Sequence, residues 1–181
     1  GCWSYFAIPG GGDNSNAQFA VLALYEAERA GVSVKQRTWE LAYEYWKRAQ
    51  RQDGSWGYVN SEVGQSDDYP TGSMTCAGIA SLVMCRGQLH DADASVTNEQ
   101  VICCGRKPDD AVDPVARGIA WLQRNFSVSG NPTMNPQFRG STERSHLYYL
   151  YALERVGRLT SERWIGEHDW YREGTHMLSQ G

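Results

Sequence analysis

The chain has no cluster of basic residues. Its 17 Lys and Arg are outnumbered by 21 Asp and Glu, for a formal net charge of −4. Nucleic-acid binding needs a concentrated positive face, so that class is set aside. No apolar run is long enough to cross a bilayer. There is no cysteine framework either. The five cysteines, Cys2, Cys76, Cys85, Cys103 and Cys104, are odd in number and scattered. That argues against a disulfide scaffold, and Cys103-Cys104 lacks the spacing of a zinc knuckle. They read as packing or incidental surface residues. Strand-like alternation is nearly absent. No initiator Met and no signal peptide are present, and both ends fall inside what reads as a repeated motif, so the chain is expected to be a segment of a longer protein.

What is present is enough apolar material for a sizeable core: 41% hydrophobic and 12% aromatic residues. The most informative stretch is Gln50-Arg51-Gln52-Asp53-Gly54-Ser55-Trp56, which fits Gln-x-x-x-Gly-x-Trp. Gly1-Cys2-Trp3 has the form of the tail of an earlier copy. Arg117-Gly118-Ile119-Ala120-Trp121-Leu122, followed by Gly130, has the spacing of a degraded one. Helix pairs surround these copies. The first is expected over Asp13 to Ala30, with Asp13 or Asn14 as cap and Phe19, Leu22 and Ala23 at helical spacing. Its partner runs from Thr38 to Arg51, with Trp39, Ala42, Tyr43 and Trp46 on one side, and the short link between them predicts an antiparallel hairpin. A second pair covers Thr75 to Cys85 and Pro114 to Asn125. A third runs from about Glu143 to Val156 and from about Ser161 to Leu178. Gly31, Gly87 and Gly157 are expected to stop the first helix of each pair. Residues 88–113 read as a polar surface insertion. The chain is therefore expected to be all-α, one unit over 1–181 with about three hairpin repeats.

These repeats resemble those shared by squalene–hopene and oxidosqualene cyclases and the β-subunits of protein prenyltransferases. In the cyclases the repeat is basic-(Gly/Ala)-x-x-aromatic-aliphatic-x-x-x-Gln-x-x-x-Gly-x-Trp. The copy ending at Trp56 keeps Ala42, Tyr45, Gln50 and Gly54, with Leu41 in the basic slot. The copy from Arg117 keeps Gly118, Trp121, Leu122 and Gly130, with Phe126 in the Gln slot and Pro132 in the Trp slot. The resemblance implies an α/α toroid, here a partial ring, with inner helices around a central cavity and outer helices behind them. It also implies an isoprenoid or other apolar ligand in that cavity and further repeats of the parent chain as neighbours; no cofactor is assigned to this segment. The motif residues Gly1, Trp3, Gln50, Gly54, Trp56, Gly118, Trp121 and Gly130 are assigned to structure. Gly54 suits a turn that a side chain would obstruct, and Trp56 offers a flat ring to the junction.

Hopene-type cyclases protonate an alkene or epoxide with an acid from Asp-x-Asp-Asp-Thr-Ala. The comparable run here, Asp13-Asn14-Ser15-Asn16-Ala17, keeps only Asp13, a weak catalytic candidate. Asp67-Asp68 read as solvated loop acids. Prenyltransferases hold zinc with Asp, Cys and His from two inner helices. Cys76 and His146 each lie eleven residues before a predicted helix-ending glycine, but the Asp slot holds Met74, so no metal is assigned. Glu167-His168-Asp169 has no nucleophile motif beside it. Tyr148, Tyr149 and Tyr151 are ligand-binding candidates, since cavity aromatics can face an apolar or cationic guest. With no complete catalytic motif, two functions follow: a cyclase- or transferase-type segment that binds an isoprenoid, or a non-catalytic scaffold that binds a protein or lipid. An isolated partial ring is expected to be marginally stable or to self-associate.

Overall fold

The computed structural model describes residues 1–5, 12–59, 69–89, 95–97, 100–102, 113–135 and 145–180. Six helices account for most of them: α1 (Asn14–Arg29), α2 (Gln36–Ala49), α3 (Gly72–Leu89), α4 (Pro114–Arg124), α5 (His146–Thr160) and α6 (Trp170–Ser179). Two short antiparallel strand pairs complete the set, β1 (Ser95–Thr97) with β2 (Gln100–Ile102) and β3 (Trp164–Ile165) with β4 (His168–Asp169). The chain is mainly helical, as its periodicity predicts. No described helix is long and apolar enough to cross a membrane.

α3 organises the molecule. Every residue from Gly72 to Leu82 is buried, the mark of a helix with neighbours on all sides. Its small residues, Gly72, Ser73, Ala77, Gly78 and Ala80, let α1, α2, α4 and α5 all pack against it. α1 and α2 pack more closely on α3 than on each other, so the expected first hairpin is a pair that shares a third helix. The Tyr45 hydroxyl still ties the two together, donating to Asn14 Oδ1 at 2.6 Å.

Local chemistry sets the helix starts. Asp13 caps α1 by accepting from the Asn16 amide at 3.0 Å. Asp113 caps α4 by accepting from Val115 N, with Pro114 in the first turn, where its missing N–H leaves nothing unsatisfied. Arg86 of α3 then holds Asp113 at 2.7 Å.

Several boundaries differ from the periodicity. α3 starts at Gly72 because Thr71 receives the Met74 amide on its hydroxyl and the Thr75 amide on its carbonyl. It runs through Gly87 to Leu89; a glycine permits a stop without requiring one. Gly157 is likewise inside α5, and its role is packing. A Cβ there would sit 2.2 Å from Trp170 Cε2, so α6 can cross α5 only over a glycine. α5 ends instead at Ser161, whose φ of 57° is left-handed. The helix expected from Ser161 to Leu178 is a tight β3–β4 hairpin followed by α6. The hairpin turns at Gly166, with φ +65°, and Asp169 caps α6 by accepting from Arg172 N. Only Gly31, at φ +87° just after α1, ends its helix as expected. Within 88–113 the structure describes the end of α3, the β1–β2 pair and Asp113. Cys103, Cys104 and Asp67-Asp68 lie outside the described residues.

One set of contacts occurs twice. The Trp3 carbonyl accepts from Asp13 N, just before α1, and the Trp56 carbonyl accepts from Thr71 N, just before α3. The first amides of these helices also match: Asn14 N donates to Tyr58 O, and Gly72 N to Pro132 O. Gly1 lies against the Leu41 carbonyl and Gly54 against the Arg117 carbonyl, where an added Cβ would fall 1.8 and 2.4 Å away. The motif's tail thus meets α2 in the first case and α4 in the second.

Candidate functional site

The two faces of α3 differ in kind. One receives Trp56, whose ring is fully buried and whose Nε1 donates to Trp46 O at 2.9 Å. That ring fills the place where a Cβ on Gly78 would be, 2.4 Å from Cδ2, and it also abuts Gly118 of α4. Gln50 Nε2 donates to Gly54 O at 3.0 Å and to Pro114 O at 2.8 Å, joining the turn to α4. Arg117 Nη2 donates to the Arg51 and Gln52 carbonyls. Leu41, in the matching slot of the preceding copy, has no such donor. Trp121 is buried in the same core, and Gly130 is buried after α4. These motif residues form a packed junction, with its polar atoms turned to the backbone.

Cys76 lies two residues before Gly78, about 200° round the helix, and so faces the other way. That side is covered by α1 and α5. Gln18 of α1 reaches across: its Nε2 donates to the Tyr148 hydroxyl, and its Oε1 accepts from Arg155 Nη2 at 2.7 Å. The Arg155 guanidinium stands 4.8 Å from the Tyr151 ring and 5.9 Å from the Phe19 ring, both within cation–π range. Phe19 and Tyr148 are themselves 6.2 Å apart. Arg155 is only 7% exposed, yet among the described residues its Nε and Nη1 have no hydrogen-bond partner. Phe19 and Tyr151 are 45% and 47% exposed, so a cation lies beneath two half-open rings.

The site residues read from the sequence divide into groups. Cys76, Tyr148 and Tyr151 come together around Arg155. Tyr149 turns away into the core, its ring 2.7 Å from the place of a Cβ on Gly72. His146 is separate, its Nε2 on the Val128 carbonyl at 2.8 Å. Among the described residues no three His, Cys, Asp or Glu side chains converge. Asp13 serves as a helix cap, its Oδ1 taken by Asn16 N and the Ser15 hydroxyl. His168 stacks on Phe126 at 4.2 Å and contacts Glu173, while Asp169 pairs with Arg163 at 2.8 Å, so this cluster organises the start of α6.

Electrostatics limit the chemistry available. Burial pushes the Cys76 thiol well above its ordinary value, although Arg155 and its own backbone pull the other way. A thiol held protonated is a poor nucleophile at neutral pH. Burial, and then the charges of Tyr58 and Asp13, raise Tyr148 against the opposing pull of Arg155 and Gln18. Burial, followed by Cys76, raises Tyr149. The described residues of the site therefore offer a positive charge, aromatic surface and neutral donors, with the Asp13 carboxylate engaged as a helix cap.

Arg155, Gln18 and Phe19 were not singled out as site residues by the sequence. A signal existed: Arg155 falls seven residues after Tyr148 and three after Ala152, in core register, with no acid three or four positions away. Comparison with protein-family models, curated proteins and solved structures finds no match to this chain.

Proposed function

We propose that the chain is a run of α/α-hairpin repeats of the squalene cyclase and prenyltransferase β-subunit type, part of a toroidal ring, and that it binds an isoprenoid or similarly apolar ligand on the face formed by α1, α3 and α5. The duplicated junction supports the repeat reading: Gly1 and Trp3 make the contacts that Gly54 and Trp56 make one unit later. The serial packing of α1 on α3 and α3 on α5, with Trp56 on the opposite face of α3, supports inner and outer helix sets. The observation that carries the ligand reading is the exposed aromatic surface on that inner side, Phe19 and Tyr151 with Tyr148 between helices. Two half-exposed rings over a buried layer are suited to an apolar guest. Asp13 as a cap and Cys76 as a protonated thiol support binding without turnover by this segment.

Saturable binding of farnesol, followed by calorimetry, tests this reading. The Phe19→Ser/Tyr151→Ser double variant is expected to bind at least about fivefold more weakly, from the apolar area removed. Farnesol binding that is non-saturable, or that ignores these two side chains, rejects it. A scaffold reading is favoured by a different surface. α6 has no buried residue, and Trp164, Tyr171 and Leu178 are all exposed there, the pattern of an uncovered partner face. Loss of protein partner capture on Tyr171→Ser/Leu178→Ser, with farnesol binding absent, would select it.

A further inference from the structure

An apolar guest leaves Arg155 unexplained. A buried guanidinium without an anion is costly, and among the described residues its hydrogen-bond partner is a neutral amide, Gln18, while Nε and Nη1 have none. The rings of Phe19 and Tyr151 compensate part of that cost. Both rings are nearly half exposed, and side chains of that kind change rotamer on a fast timescale. Leu147, one turn before Tyr151 on α5, extends the apolar surface outward and is 69% exposed. A ligand that answers all of this has a negative head for Arg155 and an apolar body for the rings.

The charge count narrows the head group. Among the described residues one guanidinium faces the site, and the Asp13 carboxylate also acts on Tyr148. A diphosphate would bring two or three negative charges to a single cation and a neighbouring anion. A carboxylate brings one, and charge-assisted hydrogen bonds to Arg are among the stronger ones proteins make. We propose that the α1–α5 seam binds a long-chain monocarboxylate, its head on Arg155 and its tail across Phe19 and Tyr151 towards Leu147. This rests on the apolar-ligand reading of the same face and adds the anionic head.

The test is calorimetric titration of the 181-residue protein at pH 7.4 with oleate, oleyl alcohol and farnesyl diphosphate, each below its aggregation threshold. Oleate is expected to bind about tenfold or more tightly than oleyl alcohol, the preference one charge-assisted contact supplies, and more tightly than farnesyl diphosphate. Arg155→Met is expected to remove the preference and leave the alcohol bound. Gln18→Glu keeps the shape of the seam and gives Arg155 an internal carboxylate. It is expected to fold, to lose the preference for oleate and to bind the alcohol as before. Equal binding of oleate and alcohol by the wild-type protein, tighter binding of farnesyl diphosphate, or undiminished oleate preference in Gln18→Glu would overturn the proposal while leaving the apolar face in place. Binding of neither oleate nor alcohol would remove the apolar face itself, and the head-group assignment with it.

Discussion

The two faces of α3 are built to different standards. Towards α2 and α4, Trp56 meets Gly78 and Gly118 without a gap, and its indole N–H is matched by the Trp46 carbonyl. Towards α1 and α5, Arg155 is buried with two nitrogens unmatched, under rings that are half open. The first face maximises contact and leaves no option for a guest. The second holds a buried cation that the described residues leave partly unsatisfied. On the proposed reading, stability and binding fall to opposite sides of one helix; a neutral indole N–H, Trp46 Nε1, is also unmatched on the packed side, but the unmatched cation is on the other.

If that contrast is right, the largest loss comes from the packed face. Trp56→Ala is expected to destabilise the fold by about 3–5 kcal/mol, read as a lower urea midpoint. Gly78→Ala drives a methyl into the same ring and is expected to cost about 1–3 kcal/mol. In a Trp56→Ala background its cost should nearly vanish, because the clash has lost its partner. Equal cost in both backgrounds would break the packed side of the contrast.

The third expectation concerns pH. Cys76 is raised well above the ordinary thiol value of 9.0, and burial pushes Cys85 up to about 12. Below pH 9 both thiols are protonated in folded and unfolded chains alike. Above it the unfolded chain ionises first, so unfolding releases protons and stability falls as pH rises. The slope is up to about 1.4 kcal/mol per pH unit for each thiol held protonated, measured as urea midpoints from pH 7 to 11. Cys76→Ala should flatten part of it. The smallest effect has the opposite sign: Gln18→Glu is expected to raise stability by about 1 kcal/mol at neutral pH by pairing the buried cation. A clear loss of stability would mean that Arg155 is already satisfied, and the two faces would not differ as described.

Much of the fold was legible because its signals are local. The Asp13 cap, the Pro114 start, Trp39, Ala42 and Trp46 facing the core, and Gly31 after α1 all follow from a few neighbouring residues. The errors came where a local signal has two meanings. Gly157 reads as a stop and is a crossing point, because Trp170 lies over it. Phe19, Leu22 and Ala23 recur at helical spacing along α1, but Ala17, Gln18 and Val21 are the buried positions while Phe19 and Ala23 are exposed. Apolar periodicity shows that a helix has a greasy side; it does not show that this side is turned to the core. Cys76, Tyr148 and Tyr151 were singled out and do come together, whereas the cation at their centre was not, because a lone Arg ordinarily reads as surface.

By itself, then, the amino-acid order determined most of the helices and the spacing of Gly1 and Trp3 and of Gln50, Gly54 and Trp56. Caps, turns and a glycine beside a tryptophan act over a few residues. Only the tertiary structure decided that α3 lies at the centre, that Gly157 serves Trp170, and that Arg155 is sealed in by Gln18. Gln18 and Arg155 are 137 positions apart. A contact of that range has no local signature, since it exists only once α1 and α5 have both packed against α3.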